Sequence, residues 1–584
     1  MAGISNTRFF KKKYNGMLAT CLLSYGLIIL IRLIDSVIGG QLLGETAVSA
    51  IGIVGPFYTF LVFCSTFISQ GLSTVFTQKI GEYKYEEAKK LSGMGLLINI
   101  ILGIVLCIFT LTCQDVFLGF FNLSREIYAL AKDYFTYLAL LALIYPVYYT
   151  FYNLTLNDGD NRITSLADIT SLTCNIVFSL ILVKRMGIAG LALGTSLGTL
   201  FSFGVLLLHL LSKRNMIKFK ISFNGRELIR IISIGLPITC FNLYAALLDI
   251  IINKAIILRF TDVYLPAYAV ANLLQNFFVI MSGAVMAARP QICVYYGEKN
   301  SVCMKKAYNI VFKDTFVIGL VLTLLMAGGN TIIPKLYGIT TPEVFRASQI
   351  TCIMIGLSCI VSAYCYMYMN YYSYIGEHKI ATFGGASFSF LCPIILAPGC
   401  AFIIGYDGIA LGIALSSLAT LLYYYVCVGI KHKDVKNIHE RMMCLPKTDG
   451  EILDYNIEIN SEEILQLRDK VGEDLKTRGI DDSLINSVEL MIEDTYELIK
   501  AKNNTAKTIL SECNVFITEE YIKLVIRDNG IVFDITNEDN EIKSLRCYVV
   551  ARYLEKLEDK SYLITSSFNR NCFVFERAEM KNIE

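Results

Sequence analysis

The stretch RLIDSVIGGQLLGETAVSAIGIVGPF, residues 32–57, opens with an arginine and an aspartate set among apolar residues. An apolar run from Met17 to Ile31 precedes it, and Arg8, Lys11, Lys12 and Lys13 precede that run. A helix needs about 20 mostly apolar residues to cross a bilayer. The run and the start of the quoted stretch therefore form a first membrane span with a basic cytoplasmic flank. No small-residue cleavage site follows, as a secretory leader would require. An ionisable side chain within a span is costly unless paired or hydrated. Two readings of Asp35 follow. Arg32 and Asp35, three apart, share a helix face and can neutralise each other. Alternatively, Asp35 faces the interior of a helix bundle and holds a proton or a cation.

The composition extends this membrane reading to most of the chain. Of 584 residues, 54% are hydrophobic and 17% charged, against about 25% charged in a soluble domain. The mean hydropathy is +0.53. A net charge of +2 argues against a basic nucleic-acid binder. The 18 cysteines are scattered, with no zinc-ligand spacing or disulfide framework, so no metal is expected and they are read as small buried hydrophobes. Twelve spans are expected, at 17–38, 50–76, 91–113, 128–152, 163–184, 188–211, 231–258, 265–288, 310–333, 347–374, 380–404 and 408–430. Loops carrying Lys79, Lys84, Lys89 and Lys90, or Lys213, Arg214, Lys218, Lys220, Arg226 and Arg230, alternate with turns of little positive charge. The basic loops are cytoplasmic, so both chain ends lie inside the cell membrane.

The two halves look related. GIAGLALGTSLGTL at 187–200 matches GIALGIALSSLATL at 408–421, and NDGDNRIT at 157–164 parallels YIGEHKIAT at 374–382. The expected organisation is a six-helix lobe over 1–211, a cytoplasmic interlobe loop over 212–230 and a second six-helix lobe over 231–430. Internal repeats with a site between them are a transporter habit. A polar linker, 431–449, leads to a cytoplasmic domain over 450–584. There DYNIEI reads as a strand, 461–478 and 481–502 as amphipathic helices, and TILSECNVFI with YIKLVIRD as a strand pair. A helical stretch near 544–558 and two last strands complete an expected two-layer α/β sandwich.

Polar residues in the spans give the candidate sites. Asn175 stands in LTCNIVFSL with Ser179 one turn on, and Thr195 lies among small residues of the sixth span. Oxygen ligands of this kind suit a hard cation. The second half offers Asp249 and Asn253, four apart, and then Gln275 and Asn276, a candidate substrate or proton site. Tyr364, Tyr366, Tyr368, Tyr371, Tyr372 and Tyr374 end the tenth span. They are expected to form an interfacial aromatic belt, with a wall against a cationic substrate as the alternative.

Over residues 1–430 the chain resembles the multidrug and toxic compound extrusion (MATE) transporters. The resemblance rests on residues 32–57 and 157–196, IGLP at 234–237, RPQICVYYGEKN at 289–300 and YDGIALGIAL at 406–415. It implies alternating access of two lobes and export of organic cations, drugs or other amphiphilic small molecules, driven by H⁺ or Na⁺. It also implies that the chain is a transporter and not an enzyme. The family's cation site maps onto Asp35, Asn175 and Thr195, and a carboxylate that many members carry in the fifth span is Ser179 here. That departure weakens a Na⁺ site and leaves Asp35 as a proton carrier.

The C-terminal domain resembles the histidine-kinase-like ATPase fold, in its anti-sigma-factor-like branch. ELMIEDTYELIK at 489–500, IRDNGIVFDI at 526–535 and SYLITSSFNRNCFVFER at 561–577 carry this resemblance. It maps a catalytic acid onto Glu493 or Asp494, and an adenine contact and its turn onto Asp528 and Gly530. The family's Mg²⁺-holding Asn is absent, since Glu497 or Leu498 takes that place, and the lid region 540–554 has no glycine. The expected domain is therefore a degenerate ATPase relative. It would bind nucleotide weakly or not at all, and would serve as a regulatory module with a cytoplasmic protein partner. Two other functions compete with transport: a membrane-embedded sensor signalling through that partner, and a flippase for lipid-linked precursors.

Overall fold

The computed structural model describes residues 7–81, 85–157, 161–211, 218–220, 222–448, 450–503, 508–531, 554, 557, 559–564 and 568–577. The Arg32 side chain, the lid region up to Tyr553 and with it most of the expected helical stretch near 544–558 lie outside that description, so neither the Arg32–Asp35 pairing nor that helix is addressed by it. The elements are α1 (Arg8–Leu43), α2 (Glu45–Gly81), α3 (Tyr85–Gly119), α4 (Arg125–Asn157), α5 (Asn161–Met186), α6 (Ile188–Leu207), α7 (Gly225–Phe260), α8 (Leu265–Asn276), α9 (Phe278–Met281), α10 (Gly283–Gly297), α11 (Ser301–Gly328), α12 (Ile332–Leu336), α13 (Pro342–Tyr374), α14 (His378–Ala386), α15 (Cys392–Ile404) and α16 (Asp407–Lys431). Then come α17 (Ile438–Met443), β1 (Glu451–Glu458), α18 (Ser461–Lys476), α19 (Asp482–Lys502), β2 (Leu510–Ile517), β3 (Tyr521–Asp528), β4 (Lys560–Ile564) and β5 (Asn569–Glu576). They divide into two compact units, residues 20–285 with 312–431, and residues 1–19 with 286–311 and 432–584.

The first unit is a helical membrane bundle. Among the described residues, ten helical segments are long and apolar enough to cross a membrane. The other two expected spans, 17–38 and 231–258, fall within α1 and α7, helices of 36 residues each. Large apolar side chains such as Phe402, Ile403 and Leu324 remain exposed, as lipid-facing positions do. Small residues set the closest helix pairs. A Cβ on Gly190 would lie 2.5 Å from the Leu182 carbonyl carbon, and one on Gly412 would lie 2.4 Å from the Ala397 Cα. Glycines thus bring α6 close to α5 and α16 close to α15, though at positions one residue apart in the repeat.

One end of the bundle is stitched together across the two halves of the chain. Glu45, at the start of α2, accepts hydrogen bonds from the Thr341 backbone N–H at 2.9 Å and from the Thr340 and Thr341 hydroxyls at 2.9 and 3.0 Å. Gln41 donates to the carbonyls of Lys335 and Leu336, at 2.6 and 3.0 Å. The Ser124 N–H donates to Asp262 at 3.2 Å.

The tyrosine-rich end of α13 is not an aromatic belt. Tyr368, Tyr371 and Tyr372 are fully buried. Tyr368 stacks on Tyr372 with ring centroids 5.5 Å apart, and Tyr424 of α16 closes the cluster at 5.7 Å from both. Their spacing places them on the α16-facing side of a helix surrounded by protein, which a single sequence does not reveal.

The second unit is built on a five-stranded antiparallel sheet of order β1-β2-β3-β5-β4. The expected helices 461–478 and 481–502 are α18 and α19. They bury Ile464, Leu467, Val471 and Leu475, and Val488, Met491, Ile492 and Ile499, against one sheet face. Asn460 caps α18 by accepting from the Glu463 N–H at 2.9 Å, the usual chemistry of that position. The opposite face is polar yet buried. Glu512, Asn514 and Arg527 lie under Tyr295, Glu298 and Asn300 of the 286–311 segment. The Phe9 N–H donates to Asn456 Oδ1 at 3.4 Å, and Lys12 reaches the Thr508 carbonyl at 3.3 Å.

Candidate functional site

Four of the expected residues meet in a directed hydrogen-bond chain. Ser179 Oγ donates to Asn175 Oδ1 at 3.4 Å, and Asn175 Nδ2 donates to Thr195 Oγ1 at 2.8 Å. Thr195 Oγ1 donates to Asp35 Oδ2 at 2.7 Å, where Tyr134 also donates at 3.4 Å. All five side chains are buried, and Asp35 Oδ1 has no hydrogen-bond partner. A buried carboxylate oxygen without a donor is costly, and a proton on that oxygen relieves the cost. The chain can form because α5 and α6 nearly touch. A Cβ on Gly194 would lie 2.2 Å from Ser179 Oγ, and one on Gly198 would lie 2.9 Å from the Asn175 N. Gly194→Ala is expected to push α6 off α5 and lengthen the Asn175–Thr195 bond. Misplacement of this kind costs about 10–100-fold in a positioned site. Gradient-driven transport per reconstituted molecule checks it, and wild-type transport would sink it.

Asp35 opens onto a cavity of about 380 Å³ lined from both halves of the chain. Asp35, Tyr58, Tyr134, Tyr149 and Thr195 face it from one half, and Asn242, Asp249, Asn272, Gln275 and Asn276 from the other. Tyr268 donates to Asp249 Oδ1 at 2.9 Å. Asn253 is buried but is not among the lining residues, so the expected Asp249–Asn253 pair is only half at the cavity. Sequence reasoning missed Asn242, Asn272, Tyr58, Tyr134 and Tyr149, whereas Tyr366, named in the alternative reading of the α13 tyrosines, does line the cavity. A signal existed for Asn272, since it lies three and four residues before Gln275 and Asn276 on one helix face. Among the lining residues no Lys, Arg or His occurs.

Asp528 is buried at the start of a turn in which Asn529 and Gly530 are half-buried and Ile531 is exposed. Asp528 Oδ1 accepts from Asn569 Nδ2 and from the Gly530 N–H, both at 2.9 Å. Burial pushes Asp528 up to about 6 despite these bonds. Asn503 Oδ1 accepts the Ile531 N–H at 2.7 Å, and its amide lies 2.7 Å from where a Cβ on Gly530 would sit. Glu493 is held by Arg468 at 2.7 Å, and Asp494 is buried. These groups are engaged with the protein itself.

Three metal-type ligands also converge where no metal was expected. Ligand atoms of Cys303, Asp454 and Glu512 lie within 4.8 Å of one another. Lys306 already pairs with Asp454, and Arg527 with Glu512 at 2.8 Å. The cluster is charge-balanced without an ion.

The MatE family model matches residues 21–181. No curated protein matches the chain at a significant level. The chain is similar to a solved inward-facing conformation of a multidrug resistance MATE family transporter of the MOP superfamily. That match has a TM-score of 0.65 and 18% identity, and covers 72% of this chain and 100% of the other. An outward-facing conformation of such a transporter gives a TM-score of 0.59 at 18% identity, covering 72% and 96%. A MOP superfamily transporter from Pyrococcus furiosus, described as having a reversed binding-pocket polarity that suggests a different function, gives 0.61 at 19% identity, covering 75% and 97%. The chain therefore has the helical fold of MATE structures, and its family-model match and neighbours support a MATE-type transporter. The MATE proteins it is similar to are transporters, not enzymes, and are integral membrane proteins with multiple spans.

Proposed function

We propose that the chain is a secondary-active exporter of organic cations or cationic amphiphiles, coupled to protons at Asp35. The observation that carries this reading is the cavity itself. Its lining includes two carboxylates, Asp35 and Asp249, with many tyrosines and, among the described residues, no cationic side chain. Such a lining attracts a cation and can stack on its apolar parts. It disfavours an anionic lipid-linked precursor. The proton is favoured over Na⁺ because the Asn175 and Thr195 oxygens are engaged within their own chain, leaving one unpartnered carboxylate oxygen. A Na⁺ ion needs several such oxygens.

The basic loops orient the stitched end, with Glu45 and Gln41, to the outside. Export would proceed by rocking of the two six-helix lobes, with protonation of Asp35 favouring one state. The test is uptake of a fluorescent organic cation into inverted proteoliposomes under an imposed pH gradient, then under a Na⁺ gradient. Accumulation with neither gradient, or with Na⁺ alone, would overturn proton coupling.

The C-terminal domain is proposed as a regulatory module and a degenerate ATPase relative. Its sheet face is occupied by residues 9–12 and 295–306 of its own chain, which supports regulation through these segments. Deleting 445–584 separates this reading from a sensor. A changed transport rate supports regulation. Unchanged transport with loss of a cytoplasmic partner supports signalling.

A further inference from the structure

We propose that Asp168 is a second protonation site, receiving protons from Asp35 along a tyrosine-lined face of α4. This inference rests on proton coupling at Asp35 and adds the route by which the proton leaves. Asp168 lies in α5, seven residues after its start at Asn161. It is buried at 7% exposure. Its Oδ2 accepts from the Tyr152 hydroxyl at 3.0 Å. The groups facing it are Tyr152 and Tyr148 from α4, and Ser202 of α6 holds the Tyr148 hydroxyl and the neighbouring Ala167 carbonyl, amid Phe151 and Leu206. Among the described residues no cation pairs with it. Packing needs no carboxylate here, since an amide or a hydroxyl would accept the Tyr152 proton equally well. An unpaired ionisable group at membrane depth points to proton movement.

The tyrosines connect the two acids. Tyr134, Tyr145, Tyr148, Tyr149 and Tyr152 follow helical spacing along α4, and residues 134–152 span about 27 Å of helix rise. At one end Tyr134 donates to Asp35 at 3.4 Å, and at the other Tyr152 donates to Asp168. Between them, the Tyr58 and Tyr145 hydroxyls are 2.6 Å apart. The rings of Tyr145 and Tyr149 lie 5.4 Å apart, and those of Tyr148 and Tyr152 lie 5.9 Å apart. Tyr58, Tyr134 and Tyr149 line the cavity, where water would link their hydroxyls; beyond the cavity lining the route continues through Tyr148, whose hydroxyl meets Ser202 Oγ at 3.4 Å, to Tyr152. Tyr134 donates to Asp35 at rest, so the relay requires its O–H to turn toward the next oxygen before it takes the carboxyl proton; each hydroxyl then accepts one proton on oxygen while donating its own. The net step moves one proton from the Asp35 carboxyl to the Asp168 carboxylate, with no tyrosinate and no redox change.

The test uses the full chain in phosphatidylcholine vesicles, with enclosed ethidium as the organic cation and a pH-indicator dye. Proton entry after an acid jump is compared in wild type, Asp35→Asn, Asp168→Asn, Asp168→Glu and Tyr152→Phe. Carboxyl bands are followed by difference infrared spectroscopy over about pH 5 to 9, an arm that needs no cargo. Asp168→Asn is expected to slow entry about tenfold or more and to remove one titrating band. Tyr152→Phe should shift that band without removing it, and Asp168→Glu should restore entry. The relay is overturned if Asp168→Asn stays within about twofold of wild type or loses no band. An Asp35→Asn protein that admits protons normally would instead sink the coupling at Asp35, and that failure is distinguishable. Slowing in Asp35→Asn alone would leave that coupling standing and remove only the relay.

Discussion

Asp35→Asn is expected to bind cargo and fail to move it against a gradient. The substitution conserves volume, and the asparagine carbonyl still accepts from Thr195 and Tyr134, which reach one carboxylate oxygen of Asp35 at 2.7 and 3.4 Å. The hydrogen bonds that tie α1 to α6 and α4 therefore survive. What disappears is the oxygen without a partner, Oδ1, and with it the only atom of the chain from Ser179 that can take a proton. Without that charge change, both states of the cavity keep the same electrostatics, and a gradient has no differential affinity through which to bias them. Gradient-driven accumulation should fall about 100-fold or more, to the level of vesicles without protein. The dissociation constant of a fluorescent organic cation should change less than about threefold, because Asp249 still faces the cavity, and a factor of ten would require about 1.4 kcal/mol. Asp35→Glu keeps a titratable group one methylene out of place and should retain partial transport. Full accumulation by Asp35→Asn would place the coupling group elsewhere.

Much of this site was legible because a lipid environment makes polar residues conspicuous. Asp35, Asn175, Ser179 and Thr195 stand out against apolar neighbours, and the structure joins all four. Rotation was not legible. Asp249 and Asn253 share a face by spacing, yet only Asp249 lines the cavity. The tyrosines of α13 read as a belt, with a wall against a cationic substrate as the alternative, and neither reading contains the buried cluster that Tyr424 of α16 forms with Tyr368 and Tyr372. Asp168 escaped notice because it lies in ITSLADITS, a stretch polar enough to pass for a helix end. In the C-terminal unit TILSECNVFI was legible as a strand, but what covers its polar residues was not. Every residue of β2 is buried. The cover comes from residues near 9 and 298, hundreds of positions away in the chain, and local patterning carries no trace of it.

That cover sets the largest stability effect expected. Arg527 is fully buried. It meets Glu512 at 2.8 Å, pairs with Glu298, and lies over the Tyr295 ring at 5.1 Å. Arg570 also pairs with Glu298. Arg527→Met fills similar volume but leaves two buried carboxylates with one guanidinium between them. Burial already raises the Glu512 carboxyl even with Arg527 alongside, so loss of that partner drives it toward the protonated form. Removing one member of a buried ion pair costs about 3–5 kcal/mol. Amide exchange in β2 and β3 should quicken by about 10² to 10³ or more, at 1.4 kcal/mol per tenfold, provided these strands open as one unit. The melting temperature of the unit should fall with it. High salt should leave the difference nearly intact, since buried pairs are weakly screened. Arg527→Met combined with Glu298→Gln and Glu512→Gln removes the stranded charges and should recover most of the loss, as well-packed neutral replacements of buried ion pairs do. A cost below about 1 kcal/mol for the single substitution is the value of an exposed pair. It would show that the polar sheet face is hydrated and that the 286–311 segment does not hold it. If the domain regulates transport through that segment, the same substitution alters the transport rate, and the triple variant brings it back together with the stability.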